Sequence, residues 1–186
     1  MPAHALPFDA SSLRVGIRRP SAADADEFIA LARESTAFLH PWIDPPTTAE
    51  RFGTYLGRLG SDADHPTLVC ELSSRRIVGV INVSCIVRGL FQSAYLGYWT
   101  GAPFARQGFM GEAMRLLIGY AFRDMGLQRL EANIQPENTA SIALVRSCGF
   151  AKEGYSPKYL RVFGEWRDHE RWAIRADSSP AEQPRA

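Results

Sequence analysis

The sequence predicts a mixed α/β (α+β) domain, one mostly antiparallel sheet with helices on both faces, and three observations carry that prediction. Runs rich in valine, isoleucine and aromatics alternate with stretches whose apolar residues recur at helical spacing, in the order β-α-α-β-β-β-loop-α-β-α-β-β. The 186 residues suit one domain of ordinary size and are short for two. A glycine-punctuated polar loop, A-R-Q-G-F-M-G at 105–111, falls between a strand and a helix, where the unpaired N–H groups of a helix start can hold an anion.

The elements follow in order. Residues 1–12 are proline-rich and patternless and 176–186 are small, polar and proline-broken, so flexible tails are expected around a domain at 13–175. Residues 13–18 alternate like a strand, and Ser21 with Asp24 three positions on forms a capping box that opens a helix over 22–34. P-W-I-D-P-P at 41–46 can be neither helix nor regular strand, and Thr48 caps a second helix to about residue 59. Strands at 67–72, 77–87 and 95–100 form an antiparallel meander. After the loop, Met114, Ile118, Ala121, Phe122 and Met125 make a helical stripe closed by Gly126. A strand at 129–135, a helix at 139–147 stopped by Gly149, and a hairpin at 158–163 and 166–174 complete the chain.

Composition narrows the function. An apolar fraction of 46% with no run long enough to span a bilayer is that of a globular protein, and no membrane contact is expected. A net charge of +1 lacks the electrostatic footprint of a protein that grips nucleic acid through its phosphates. Cys70, Cys85 and Cys148 are widely spaced in apolar surroundings, which predicts buried free thiols in a reducing compartment and no zinc site. The N-terminal residues show neither a basic nor an apolar leader region, so the cytoplasm is the expected location.

Known chemical motifs are mostly excluded. No G-K-[S/T] follows the loop, its glycine spacing is not that of a dinucleotide fingerprint, and neither a G-x-S-x-G elbow nor an H-E-x-x-H helix is present. His40 and His169 have no partner at metal-ligand or triad spacing and receive no role. Asn138 reads first as an N-cap, with Ser141 three residues on, and Glu131 and Asn133 lie two apart on one face of a strand. Tyr155, Tyr159, Trp99 and Trp166 read as core or groove wall.

Together, R-Q-G-F-M-G-E-A, the N-x-x-S of E-N-T-A-S and R-S-C-G-F-A-K-E-G-Y resemble the GNAT superfamily of acetyl-CoA-dependent N-acetyltransferases. V-R-G-L-F-Q-S-A-Y-L-G-Y at 87–98, Q-P-E-N-T-A-S and Y-L-R-V-F-G-E-W-R-D-H at 159–169 are similar to the RimJ branch of the RimJ/RimL type, the ribosomal-protein-alanine N-acetyltransferases. The resemblance spans about residues 13–175 and implies a GNAT-like sheet splayed between its fourth and fifth strands, here 95–100 and 129–135. It implies acetyl-CoA as co-substrate, no metal, and a pantetheine arm held in the gap by the backbone of Tyr98, Trp99 and Thr100. Arg106, Gln107, Gly108, Phe109, Met110 and Gly111 would cradle the pyrophosphate, with Asn138 and Ser141 beside the cofactor. Two departures stand out: the tyrosine many members use as general acid is Val145 here, and a carboxylate proposed as base in RimL-type members is Lys158.

The resemblance implies Ser141 as donor to the leaving thiolate; since that thiolate needs only a hydrogen bond, Tyr159 is the alternative donor. Glu131, on the strand face it shares with Asn133, is the first choice of base. The N–H groups near Trp99 and Thr100 would stabilise the oxyanion. The 41–46 segment and the hairpin around 163–166 would wall the acceptor side. The expected acceptor is a protein N-terminal α-amine, that of a ribosomal protein beginning with alanine, for a monomer or homodimer. A small-molecule amine and a non-catalytic CoA-binding or ribosome-assembly role are the alternatives.

Overall fold

The computed structural model describes residues 8–178. Eight strands form one sheet in the order β1-β2-β3-β4-β5-β6-β8-β7, with helices on both sides. The strands are β1 (Ala10–Ser11), β2 (Val15–Arg18), β3 (His65–Glu71), β4 (Ile77–Val87), β5 (Ser93–Thr100), β6 (Arg129–Ile134), β7 (Ala151–Val162) and β8 (Glu165–Arg175). The α-helices are α1 (Ala25–Glu34), α2 (Thr36–Leu39), α3 (Ala49–Gly57), α4 (Phe109–Arg123) and α5 (Thr139–Ser147). Every neighbouring pair is antiparallel except β5 with β6, which run parallel.

Burial follows position in the sheet. From His65 to Cys70, β3 is buried on both faces, as a strand covered by helices on either side requires. Its neighbour β4 is buried from Ile77 to Ile81 and becomes exposed toward Val87, where it runs beyond β3. That overhang corrects one expectation: Cys85 is exposed, at a break in the β4–β5 register and with φ of 51°, whereas Cys70 and Cys148 are buried. Burial pushes the Cys70 thiol up to about 11, so it behaves as a small apolar side chain.

Helix starts obey local chemistry. The Asp24 carboxylate accepts from the Ser21 N–H at 2.7 Å, closing the capping box, and pairs with Arg18 at 2.6 Å. The first turn after the cap is a 3-10 turn, Ala22–Asp24, so α1 proper begins three residues later than its cap suggests. Phe28, Ile29, Leu31 and Ala32 form the buried stripe of α1. On α3, the Thr48 hydroxyl accepts from the Arg51 N–H, and the helix ends at Gly57 in a 3-10 turn, slightly short of the expected limit. In α4 the buried residues include Ala113, Met114, Leu117, Ile118, Ala121 and Phe122.

The ends also differ from expectation. Within the proposed N-terminal tail, Ala10 and Ser11 pair with Ile17 and Gly16, and the Ser12 hydroxyl donates to Glu112 at 2.6 Å. Two paired residues are too few to leave a periodic signal. Residues 1–7 of that tail, and 179–186 of the other, lie outside the described residues, while Ala176–Ser178 form a 3-10 turn. The final hairpin is longer than expected because β7 begins at Ala151. Pro157 and Lys158, the latter at φ of 47°, fall where the register shifts between Ser156 and Leu160, and an edge strand tolerates both.

Candidate active site

The site begins where sheet pairing stops. β5 and β6 are in register at Ser93 with Arg129, Ala94 with Leu130 and Tyr95 with Glu131, and no pairing follows. Beyond Tyr95, β5 stays bound to β4 as far as Thr100, so its other edge is free toward the gap. This is the expected splay; the short β1 merely moves the two strands from fourth and fifth to fifth and sixth.

A cavity of about 390 Å³ opens along the free edge of β5. Tyr98, Trp99 and Thr100 form one wall, the loop from Ala105 to Gly111 a second, Asn138, Ala140, Ser141 and Leu144 of α5 a third, and Phe38, Leu39, Trp42 and Ile43 the last. A smaller cavity of about 120 Å³ shares Trp42, Ile43, Tyr98, Asn138 and Ser141 with it, and adds Leu96, Gly97, Asn133, Ile134, Gln135 and His169. Among the described residues no carboxylate lines either one.

The loop is shaped to receive an anion. Gly108, the N-cap of α4, has φ of 84°, a conformation that costs any residue with a Cβ. The Glu112 N–H donates to the Gly108 carbonyl, which leaves the N–H groups of Phe109, Met110 and Gly111 at the open helix end. Arg106 is exposed, at φ of 61°, and makes no ion pair among the described residues. Gln107 is different: its side chain donates to the Pro103 carbonyl at 2.7 Å and does not line the cavity.

Arg14, which the sequence reading did not single out, locks this loop from behind. Its guanidinium donates to the Gln107 carbonyl at 3.2 Å and to Glu112 at 2.9 Å, and lies 5.0 Å from the Phe109 ring centre. Glu112 also accepts from the Arg14 N–H and the Ser12 hydroxyl. Burial works against this carboxylate, but the hydrogen bonds from Ser12 and Arg14 outweigh it and hold its pKa below the usual range.

On α5, the Asn138 side chain accepts from the Ser141 N–H at 3.1 Å, so Asn138 is an N-cap as well as a cavity residue. The Ser141 hydroxyl meets the Tyr98 hydroxyl at 2.5 Å. Burial drives the Tyr98 pKa well above its ordinary value, so the phenol stays protonated and able to donate. Sequence reading used only the backbone of Tyr98. In space its hydroxyl stands beside Ser141, while Val145 is fully buried in the core.

The other proposed catalytic residues lie apart. Glu131 accepts from the Arg129 Nε at 2.9 Å, and Arg129 also pairs with Glu153. Glu131 lines neither cavity. Tyr159 also lies outside both, its ring centre 6.1 Å from that of His169 and its hydroxyl beside Tyr95, whose pKa is pushed up to about 12 by that hydrogen bond and then by burial. Asn133, which shares the Glu131 face of β6, turns its side-chain oxygen into the structure with no partner among the described residues. His169, surrounded in sequence by R-D and E-R, is 3% exposed and lines the smaller cavity. A charged run normally marks a solvated face, which hid it. On the acceptor side, Phe163 at the hairpin tip packs against His40, ring centres 4.9 Å apart, next to the 41–46 segment.

Comparison with known proteins agrees with this geometry. Residues 14–151 match the acetyltransferase (GNAT) domain family. The probable N-acetyltransferase YjcK of Bacillus subtilis is 32% identical over 85% of this chain and 92% of its own. The [ribosomal protein uS5]-alanine N-acetyltransferase of Escherichia coli is 43% identical, over 51% of this chain and 49% of that one. Among solved structures, Mycobacterium smegmatis RimJ in complex with CoA-disulfide superposes with a TM-score of 0.82 at 26% identity, covering 89% of this chain and 84% of its own. By sequence and by the splayed strand pair at its centre, the chain belongs to the GNAT acetyltransferase family.

Proposed function

We propose that the chain binds acetyl-CoA along the splayed β5 edge and transfers the acetyl group to the α-amine of a protein N-terminus, that of a ribosomal protein beginning with alanine. The pyrophosphate would lie on the N–H groups of Phe109, Met110 and Gly111 with Arg106 as its cation. The pantetheine arm would follow Tyr98 to Thr100 as a missing strand, and the unpartnered Asn133 oxygen offers an acceptor to an N–H group in the gap. Attack on the thioester would create an oxyanion against the N–H groups near Trp99 and Thr100. Ser141, backed by the Tyr98 hydroxyl, would then donate to the departing thiolate. That pair supports chemistry over a purely binding role despite Val145.

The observation that carries the choice of acceptor is the absence of a carboxylate from both cavities. A polyamine finds no counter-charge among their described lining residues; Glu137 and Asp168 line a separate neighbouring cavity that shares Gln135 with the smaller one. A lysine amine, near pKa 10.4, is harder to deprotonate than an α-amine near 8, by about 2.5 units or roughly 3.4 kcal/mol. The relatives that act on ribosomal-protein alanine support the same acceptor. Mass spectrometry of alanine-first peptides, of the same peptides blocked at the N-terminus with an internal lysine, and of spermidine tests it. Labelling should concentrate on free N-termini; efficient labelling of lysine or spermidine with none at an N-terminus would overturn the reading.

A further inference from the structure

We propose that His169 is the group that takes the proton from the acceptor amine. The inference rests on the acetyl-transfer reading but not on which amine is the acceptor.

The geometry fixes which ring nitrogen is available. His169 Nδ1 lies 3.0 Å from the Arg167 carbonyl oxygen, which can only accept, so Nδ1 carries the hydrogen and Nε2 keeps a lone pair. Among the described residues Nε2 has no hydrogen-bond partner, and the ring lines the small cavity together with Tyr98, Asn133 and Ser141. A base is therefore placed in the same chamber as the hydroxyl pair. Glu131, by contrast, already serves Arg129 outside it.

The surroundings keep the ring neutral. Burial lowers its pKa and outweighs the Arg167 carbonyl and the negative charges of Asp168 and Glu137, which act the other way. Tyr159 of β7 packs against the ring, and Tyr98 is the titratable group across the cavity. Near neutral pH the imidazole is thus free to accept.

The step balances as follows. The acceptor enters as an ammonium and gives one proton to Nε2, and its freed lone pair attacks the thioester carbon. The C–N bond forms and the C–S bond breaks. The thiolate takes a proton from Ser141, whose hydroxyl is resupplied by the second amine proton, and the imidazolium releases its own to solvent. The products are the N-acetyl amide, CoA thiol and one proton.

The test uses His169→Gln and His169→Ala in the full chain, with an alanine-first peptide and spermidine as acceptors. On whichever acceptor the wild type turns over, His169→Gln should lower kcat by about a hundredfold or more while acetyl-CoA affinity is kept. Added imidazole should restore part of the His169→Ala rate, and in His169→Gln the acid limb should lose the step set by the imidazole and follow only the ionisation of the acceptor amine. A folded His169→Gln protein with near wild-type kcat overturns the assignment. If the only acceptor used is spermidine, the N-terminal reading fails while this test still decides for or against His169. Nitrogen NMR of the wild-type imidazoles decides the point even if the variants do not fold: His169 should show Nδ1–H and a bare Nε2 at neutral pH, and an Nε2–H form or an imidazolium refutes the role.

Discussion

Two ends of one strand pair behave in opposite ways. At the closed end of β5 and β6, Tyr95 faces Glu131 in register, and Glu131, Arg129 and Glu153 satisfy one another. Two residues further along the same face of β6, Asn133 has a buried oxygen with no partner, beside a cavity that holds a hydroxyl pair and a buried histidine. The closed end spends its polar groups on the fold. The open end keeps them for a ligand, at some expense in stability.

The contrast can be broken most severely at the mouth of the open end. Gly108→Val places a β-branched residue at φ of 84° and meets the Arg14 guanidinium 3.2 Å from the new Cβ. Acetyl-CoA affinity by calorimetry should fall by about a hundredfold, equivalent to roughly 2.7 kcal/mol, with the circular dichroism spectrum retained. Unchanged affinity in a folded Gly108→Val protein would move the anion site elsewhere.

Next in size is the hydroxyl pair. Ser141→Ala should lower kcat by about tenfold, and because it takes the partner from the half-buried Tyr98 hydroxyl it should also cost about 1 kcal/mol of stability. Adding Tyr98→Phe removes the orphan, so the double variant should regain stability without regaining kcat. If stability and kcat recover together, the pair is only structural.

Asn133→Leu sharpens the contrast by separating fold from function. Removing an unpaired buried oxygen should raise stability by about 1 kcal/mol while kcat/KM falls, measured by thermal melting and by thiol release. A variant that loses both would mean the oxygen already has a partner in the free protein. The smallest change is expected at the closed end. Glu131→Gln should leave kcat nearly unaltered and cost about 0.5 kcal/mol, since the pair with Arg129 is partly solvated at 21% and 28% exposure. A large loss of kcat would return the base to Glu131.

What could be read from the sequence was local. The Ser21–Asp24 box, the Thr48 and Asn138 caps and the Gly108 turn each depend on residues within four positions, and each stands where expected. Distance along the chain hid the rest. Tyr98 and Ser141 are 43 residues apart, and Arg14 and Gln107 are 93 apart, so no spacing could reveal either contact. For Glu131 the spacing named the face correctly, but the position of the last β5–β6 pair, which decides between a salt bridge and a cavity, is a property of the sheet. His169 was missed for the same reason: only the cavity distinguishes it from its charged neighbours.

The clamp on Glu112 sets an order of assembly. Helix α4 can form from its own residues, but the loop at its start is held by Arg14 and Ser12, 98 and 100 positions away in the chain. Such a closure is among the costlier contacts to make, and it comes only once β2 has docked. During refolding, helical signal should therefore precede competence to bind acetyl-CoA. The same arrangement ties the β1–β2 connection to the mouth of the site, so replacing Ser12 and Arg14 together by alanine would leave the sheet paired and the anion loop slack.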